Sequence, residues 1–401
     1  MSAFTMSQFN SKIRYIIYCY ACFAWMCATV TMPLIVPLSH QFAIPSHVLH
    51  FTISVMLFFF AVSQFVGGAL SDSFGRKKVL LVFLLLNLIG LVASSIATRA
   101  DIFILGQALT GLGGGVLAVL TRAIAVDSFD EQSLGKIFTT NAMLIFIAPI
   151  ISSQLGMHFY TVSRVTDVYF VFSVISLVLF IISVMFLPET LNDGEKKRFN
   201  LNSVVRNYFN ILNNKKFLCY WVSFSIATGL VIGGVFTILS RVYIGTFGIS
   251  PDKYSIVVFG CSIFILIGIF LTRRIISPEV RARIKILKSL LCFGFLSILV
   301  FLVSLIMDQV NIYTTSVTLI LLAIFCGMLC PFANYFAMNS LNESKGSGSA
   351  LISISGSLAS AIVSLIVGVS LFSPIDLLMI ASFFGVSTIL FLRTRRCIVE
   401  Q

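Results

Sequence analysis

Between two long apolar runs the chain carries GGALSDSFGRKKVLL at residues 67–81, which gathers an acid, several glycines and three consecutive cations into one short turn. Asp72, at the border of an apolar medium, is costly without a partner, whereas Arg76, Lys77 and Lys78 suit a charged headgroup surface. Gly68 and Gly75 let the flanking segments turn tightly and pack closely. The chemistry open to such a turn is electrostatic: pairing between an acid and the cations near it. A plain solvated turn is the other role these residues admit.

Elsewhere, side chains capable of chemistry are sparse. All fifteen acids fall between apolar runs or at their ends, so no carboxylate stands near the middle of one. His40, His47, His50 and His158 match no standard spacing for metal ligands, and no metal site is expected. The nine cysteines, including Cys326 and Cys330 one helical turn apart, lie mostly inside apolar runs and read as small packing residues. Glycines 111, 113, 114 and 115 lack the Lys-Ser/Thr and the preceding strand of a phosphate loop, so close helix packing is the expectation and nucleotide-driven chemistry is not. No nucleophile, base and orienting acid occur together. An enzyme is not expected, and no cofactor is called for.

The elements that carry these residues follow from composition. Of 401 residues 58% are apolar and only 10% charged, far from soluble usage. A helix needs roughly 20 mostly apolar residues to cross a bilayer, and that ruler finds spans at 15–38, 48–70, 79–97, 102–124, 138–160, 167–187, 217–241, 254–272, 287–307, 313–336, 350–371 and 376–392. The runs are continuous rather than alternating, which favours helices over a barrel. The fold class is therefore all-α integral membrane, twelve spans in two six-helix bundles. The polar stretch around 188–216 divides them: an N-terminal bundle over 1–188, a linker over 189–216 and a C-terminal bundle over 217–401. The first run is too long for a signal-peptide core, and span 1 is read as retained.

Orientation follows from the cations. With the N-terminus inside, only Arg99, Arg164, Lys253 and Arg241 of the 27 Lys and Arg fall at the outer side, so both termini are expected in the cytoplasm. The formal charge of +12 is then spread over short loops at one membrane surface. Anionic lipid accounts for it better than nucleic acid, which calls for one basic soluble face.

Gly68, Leu70, Asp72, Gly75, Arg76 and Lys77 reproduce the pattern G-x-L-x-D-x-x-G-R-[KR] in the loop between spans 2 and 3. In this the chain resembles the major facilitator superfamily. The resemblance implies a gating turn on the cytoplasmic side in which Asp72 pairs with a neighbouring helix end. Within the superfamily, Arg122, Ala123, Ile124 and Asp127 in span 4, and Ala148, Pro149 and Gly156 in span 5, resemble the Bcr/CflA drug-resistance group. So do the stretches 247–260, 330–338 and 345–358, while LPET at 187–190 ends span 6 as it commonly does in the superfamily. The chain departs from that group at two positions. Aligned on Pro33 and Phe42, the acid of its span 1 lands on Thr29; counted back from Arg122, the first arginine of its span 4 motif lands on Gln107. Ser152 or Ser153 stands near the first glycine of its span 5 pattern.

The resemblance implies a secondary transporter that exports drugs or other small molecules through the inner membrane of a bacterium by alternating access. An importer or siderophore exporter of the same fold, and a non-transporting receptor or assembly factor, are the alternatives. With no acid inside a span, neutral, zwitterionic or anionic cargo fits better than a cation exchanged for a proton. Thr29, Gln107 and Thr110 either line a cavity or bond between helices, and the resemblance favours the cavity, because the corresponding family positions line it. Asn334 and Tyr335 either line a cavity or bond between helices. Arg241 either attracts an anionic group at the outer vestibule or reaches the headgroups. Lipid and substrate are the expected partners, and a monomer the expected state.

Overall fold

A computed structural model describes residues 3–191, 201–275, 280–307, 311–341 and 345–369. The described secondary structure is helical, and eleven helices are long and apolar enough to cross a membrane. They coincide with the first eleven spans read from the sequence; the twelfth, 376–392, lies outside the described residues. The chain forms two compact units, Met1–Val205 and Arg206–Gln401.

The first unit holds α1 (Ala3–Thr29), α2 (Thr31–Phe42), α3 (Ser46–Phe74), α4 (Arg76–Ser95), α5 (Ala100–Ser128), α6 (Glu131–Val162) and α7 (Asp167–Phe186). One expectation changes here, because span 1 is two helices rather than one. Pro33 has no N–H to offer the carbonyl of Thr29, so the helical ladder loses a rung where α1 stops. Val30 sits at the junction, its N–H still bonded to the Met26 carbonyl at 2.9 Å.

α5 is packed between α3 and α4, and its glycines explain how closely. A Cβ added to Gly111 or Gly115 would run into the carbonyl oxygens of Met56 and Phe60 on α3. One added to Gly113 would meet Phe83 and Asn87 on α4. Backbone therefore touches backbone on both sides, as small residues permit between spans. The outer surface is inverted relative to a soluble protein: on α4, Val82, Leu85, Ile89 and Val92 are exposed while Asn87 and Ser94 are buried. On α7, Val174, Leu177, Ile181 and Val184 face outward, and Ser173, Ser176 and Ser183 inward. Such a pattern buries hydrogen-bonding groups away from hydrocarbon.

α8 (Leu201–Leu212) runs across the boundary of the two units, and the second holds α9 (Lys215–Thr228), the π-helical segments Gly229–Val235 and Arg241–Thr246 around α10 (Phe236–Ser240), α11 (Pro251–Ile275), α12 (Val280–Ile306), α13 (Ile312–Asn339) and α14 (Lys345–Val369). The packing scheme repeats: α11 and α12 both lie on α13, as α3 and α4 lie on α5. Gly268 on α11 and Gly327 on α13 abut the facing backbones at Ile324 and Ile265. Span 7, expected as a regular helix, is widened into π turns instead. Its Gly233 lets the backbone approach Ser360 on α14, where any Cβ would collide.

Candidate functional site

At the charged turn, Gly75 separates α3 from α4 with φ +101°, a region that only glycine enters without strain. The turn brings Arg76 back onto α3, where it pairs with Asp72 and its Nη1 donates to the Ser71 hydroxyl at 2.6 Å. Its Nε reaches Asp127 Oδ2, at the end of α5, at 3.0 Å. One guanidinium thus joins two acids. The Arg76 side chain is 11% exposed and that of Asp127 15%, against 40% for Asp72, so the Asp127 pair is the better shielded.

Glu189 completes the cluster, and the sequence reading gave it no role beyond the end of span 6. Its Oε1 accepts from the Arg76 backbone N–H at 2.7 Å, which places a carboxylate at the N-terminus of α4, where the helix dipole favours negative charge. A Cβ at Gly75 would collide with that carboxylate. Thr190 donates to Asp127 Oδ2 at 3.2 Å, and Lys77 donates to the Val184 carbonyl in the last turn of α7 at 2.9 Å. The ends of α3, α4, α5 and α7 are therefore tied together. Gly68 contributes less: an added Cβ would meet only Val119, at 3.8 Å, whereas the neighbouring Gly67 is pressed against Val116. Arg122, on α5, is half-buried.

A second constellation crosses the first unit. Tyr169 on α7 lies 3.0 Å from the Thr31 hydroxyl on α2; Thr31 donates to Gln107 Oε1 on α5 at 2.9 Å. Gln107 Nε2 in turn donates to Ser94 on α4 at 3.0 Å, and Ser94 to the Gly90 carbonyl at 2.9 Å. Since Thr31 gives its proton to Gln107, the Tyr169 hydroxyl is the donor to Thr31, and the four side chains form a one-way chain of donors. None of them is more than 3% exposed. All are uncharged.

Thr29, at the end of α1, bonds the Trp25 carbonyl at 2.8 Å and shares a 3.0 Å hydrogen bond with Ser152 on α6. Ser152 also donates to the carbonyl of Pro149, which is buried within α6. Thr110 turns its hydroxyl to the Gly106 carbonyl at 2.9 Å, while its own carbonyl accepts from Asn87 at 3.1 Å. Thr29, Gln107 and Thr110 are thus all buried and bonded inside the first unit, although only Gln107 belongs to the four-residue chain.

In the second unit, Asn334 on α13 is exposed and Tyr335 half-buried, its ring edge-on to Phe336 at 5.1 Å. Arg241 opens the second π-helical segment, and its side chain lies outside the described residues. Spans 1 and 7, which begin the two sets of spans, are both irregular, at Val30 and from Gly229 onward. Interrupted helices at matching places in two repeats are a known pointer to a binding region. Among the described residues no group of His, Cys, Asp and Glu is arranged to hold a metal ion.

A family model described as Major Facilitator Superfamily matches residues 15–364. An uncharacterized MFS-type transporter of Bacillus subtilis (strain 168) is 24% identical over 318 residues, 77% of this chain and 76% of its own length. The bicyclomycin resistance protein homolog of Haemophilus influenzae is 26% identical over 214 residues, so the match spans 52% of each chain. The crystal structure of a D-xylose-proton symporter shares the fold with a TM-score of 0.74 at 14% identity, over 95% of this chain and 96% of that one. The helical spans, the charged turn and a family match over most of its length agree: this chain is a multi-pass membrane transporter and belongs to the Major Facilitator Superfamily.

Proposed function

We propose that the chain exports small neutral, zwitterionic or anionic molecules, drugs or metabolites among them, across the inner membrane of a bacterium. It works as a monomer by alternating access, with both termini in the cytoplasm. Two moving halves, 1–188 and 217–401, are joined by the linker 189–216. The observation that carries the cargo assignment is the neutral hydrogen-bonded chain Tyr169–Thr31–Gln107–Ser94, together with the Thr29–Ser152 pair. Of these side chains, Thr29 stands where the resembling drug-resistance group carries an acid, and Gln107 where it carries an arginine. A cation crossing such a core finds no carboxylate to neutralise it.

Export is supported by the relative named for bicyclomycin resistance. Gly68, Asp72, Gly75, Arg76 and Lys77 act as the cytoplasmic gating turn. Its ties to Asp127, Glu189 and Val184 let the ends of four helices move as one piece. Thr29, Gln107, Thr110, Asn334 and Tyr335 border the substrate path, and Arg241 draws anionic groups toward its outer end.

Counterflow in proteoliposomes tests this. Vesicles loaded with single members of a library of drugs and metabolites are given a labelled trace of the same compound outside. Transient accumulation of at least one neutral, zwitterionic or anionic compound is expected. Counterflow confined to lipophilic cations would contradict the assignment of cargo, and its absence across a broad library would contradict transport of such molecules.

A further inference from the structure

We propose that α8 is an interfacial helix that docks on anionic lipid at the cytoplasmic surface of the bilayer. The cytoplasmic placement rests on the orientation proposed above. The docking itself follows from the helix and its neighbours.

α8 sorts its side chains almost completely. At about 100° per residue, Val204, Val205, Tyr208, Phe209, Ile211 and Leu212 share one face, and Asn202, Arg206, Asn207 and Asn210 the opposite one. Among the described residues, only one edge of the apolar face is closely covered by the protein. Ile211 is buried, and beside it Asn207 Nδ2 donates to Ser347 Oγ at 2.9 Å. Toward the other edge the cover thins: Val205 and Leu212 are half-buried, and Phe209 is 64% exposed.

What covers the open edge follows from the chain that comes next. α8 ends at Leu212, and the membrane-spanning α9 begins at Lys215. Asn214 fixes the junction: its Oδ1 accepts from the N–H groups of Lys216 and Phe217, and its Nδ2 donates to the Ser340 carbonyl at 2.9 Å. A link of two residues reaches only about 7 Å even when extended, so α8 is held at the membrane surface. A helix with a broad apolar face and a polar opposite face lies in the headgroup plane there.

Charge selects the lipid. Between Lys196 and Lys216 the sequence carries Lys196, Lys197, Arg198, Arg206, Lys215 and Lys216 and no acid at all. Arg206, Lys215 and Lys216 are exposed. A protein partner for the apolar edge would have to carry a matching run of acids, whereas anionic headgroups supply the counter-charge directly.

The full-length chain carrying Phe209→Trp, reconstituted in vesicles, tests the proposal by the emission it adds to that of the two native tryptophans. Vesicles are made of phosphatidylcholine with or without phosphatidylglycerol, each with tails brominated near the headgroup. The added emission is expected to be blue-shifted and quenched by the brominated tails, more so with phosphatidylglycerol. Neutralising one cation by Arg206→Gln is expected to lower the docked-to-undocked ratio about fivefold, and high salt to erase the preference.

Water-like emission open to iodide in both membranes would overturn docking. Emission shielded from both bromine and iodide would place protein over the face and overturn it equally. Equal quenching in the two membranes would overturn the anionic preference. Hydrogen–deuterium exchange of the α8 amides in the parent chain serves if Phe209→Trp fails to fold. Slower exchange in anionic vesicles is expected, and equal exchange contradicts the proposal. Neither readout depends on transport or on sidedness, so their failure is distinct from failure of the proposed export.

Discussion

Gln107 accepts a hydrogen bond from Thr31 at 2.9 Å, with both side chains buried between helices of the first unit. A neutral amide thus fills the position to which the resemblance assigns an arginine, and its other end is held by Ser94. An amide passes a hydrogen bond along but does not readily give up or take a proton, so this chain holds helices together without relaying protons.

Replacing Gln107 by Leu leaves the Thr31 and Ser94 hydroxyls short of a partner in a buried site, which costs about 1–3 kcal/mol. Thr29→Val removes one hydroxyl, while Ser152 keeps its bond to the Pro149 carbonyl; a cost of about 1 kcal/mol or less follows. Thermal unfolding in detergent should therefore rank Gln107→Leu well below Thr29→Val in stability.

Arg76 is the shared partner of Asp72 and Asp127. Arg76→Ala leaves a shielded carboxylate uncompensated, and a loss of about 3 kcal/mol is expected. Arg76→Lys should recover little of it, because the three N–H groups of an ammonium radiate from one nitrogen and cannot reach the separate places at which Nε meets Asp127 and Nη1 meets Asp72 and Ser71. Asp127→Asn should cost more than Asp72→Asn, in keeping with side-chain exposures of 15% and 40%. Unfolding of the four variants, followed alongside the parent, checks the order.

Two glycines of the same turn should behave differently. Gly75→Ala meets both a positive φ and the Glu189 carboxylate, and should cost about 1–3 kcal/mol in backbone strain plus the displacement of that cap. Gly68→Ala adds a methyl group in ordinary contact with Val119 and should be nearly silent. Yield of monodisperse protein and its unfolding temperature read the difference.

What the sequence reveals and what it hides divide along physical lines. The eleven described spans were legible because each must be apolar over its own length, a purely local demand. The turn around Asp72 and Arg76 was legible because charge between apolar runs stands out. Glu189 was not, because its partner Arg76 is 113 positions away and nothing local marks a carboxylate as a helix cap. The break at Val30 was signalled by Pro33, yet an apolar run looks the same whether its helix is whole or split. Thr29 and Gln107 could be found as polar residues inside spans, but their partners Ser152, Thr31 and Ser94 lie on other helices. Only the packing of glycine-lined backbones brings those side chains together.

In the sequence no acid stands inside an apolar span, and at the charged turn Asp72 and Asp127 are already engaged by Arg76 while Glu189 caps α4. Proton movement during transport is therefore the most direct test of the account. Proteoliposomes containing a pH-sensitive dye are given a compound that shows counterflow, with the membrane potential clamped. Substrate exchange with no change of internal pH, at a rate unaffected by an uncoupler, is the predicted result. A substrate-driven pH change that tracks the transported amount, and is lost when the uncoupler collapses the gradient, would contradict it.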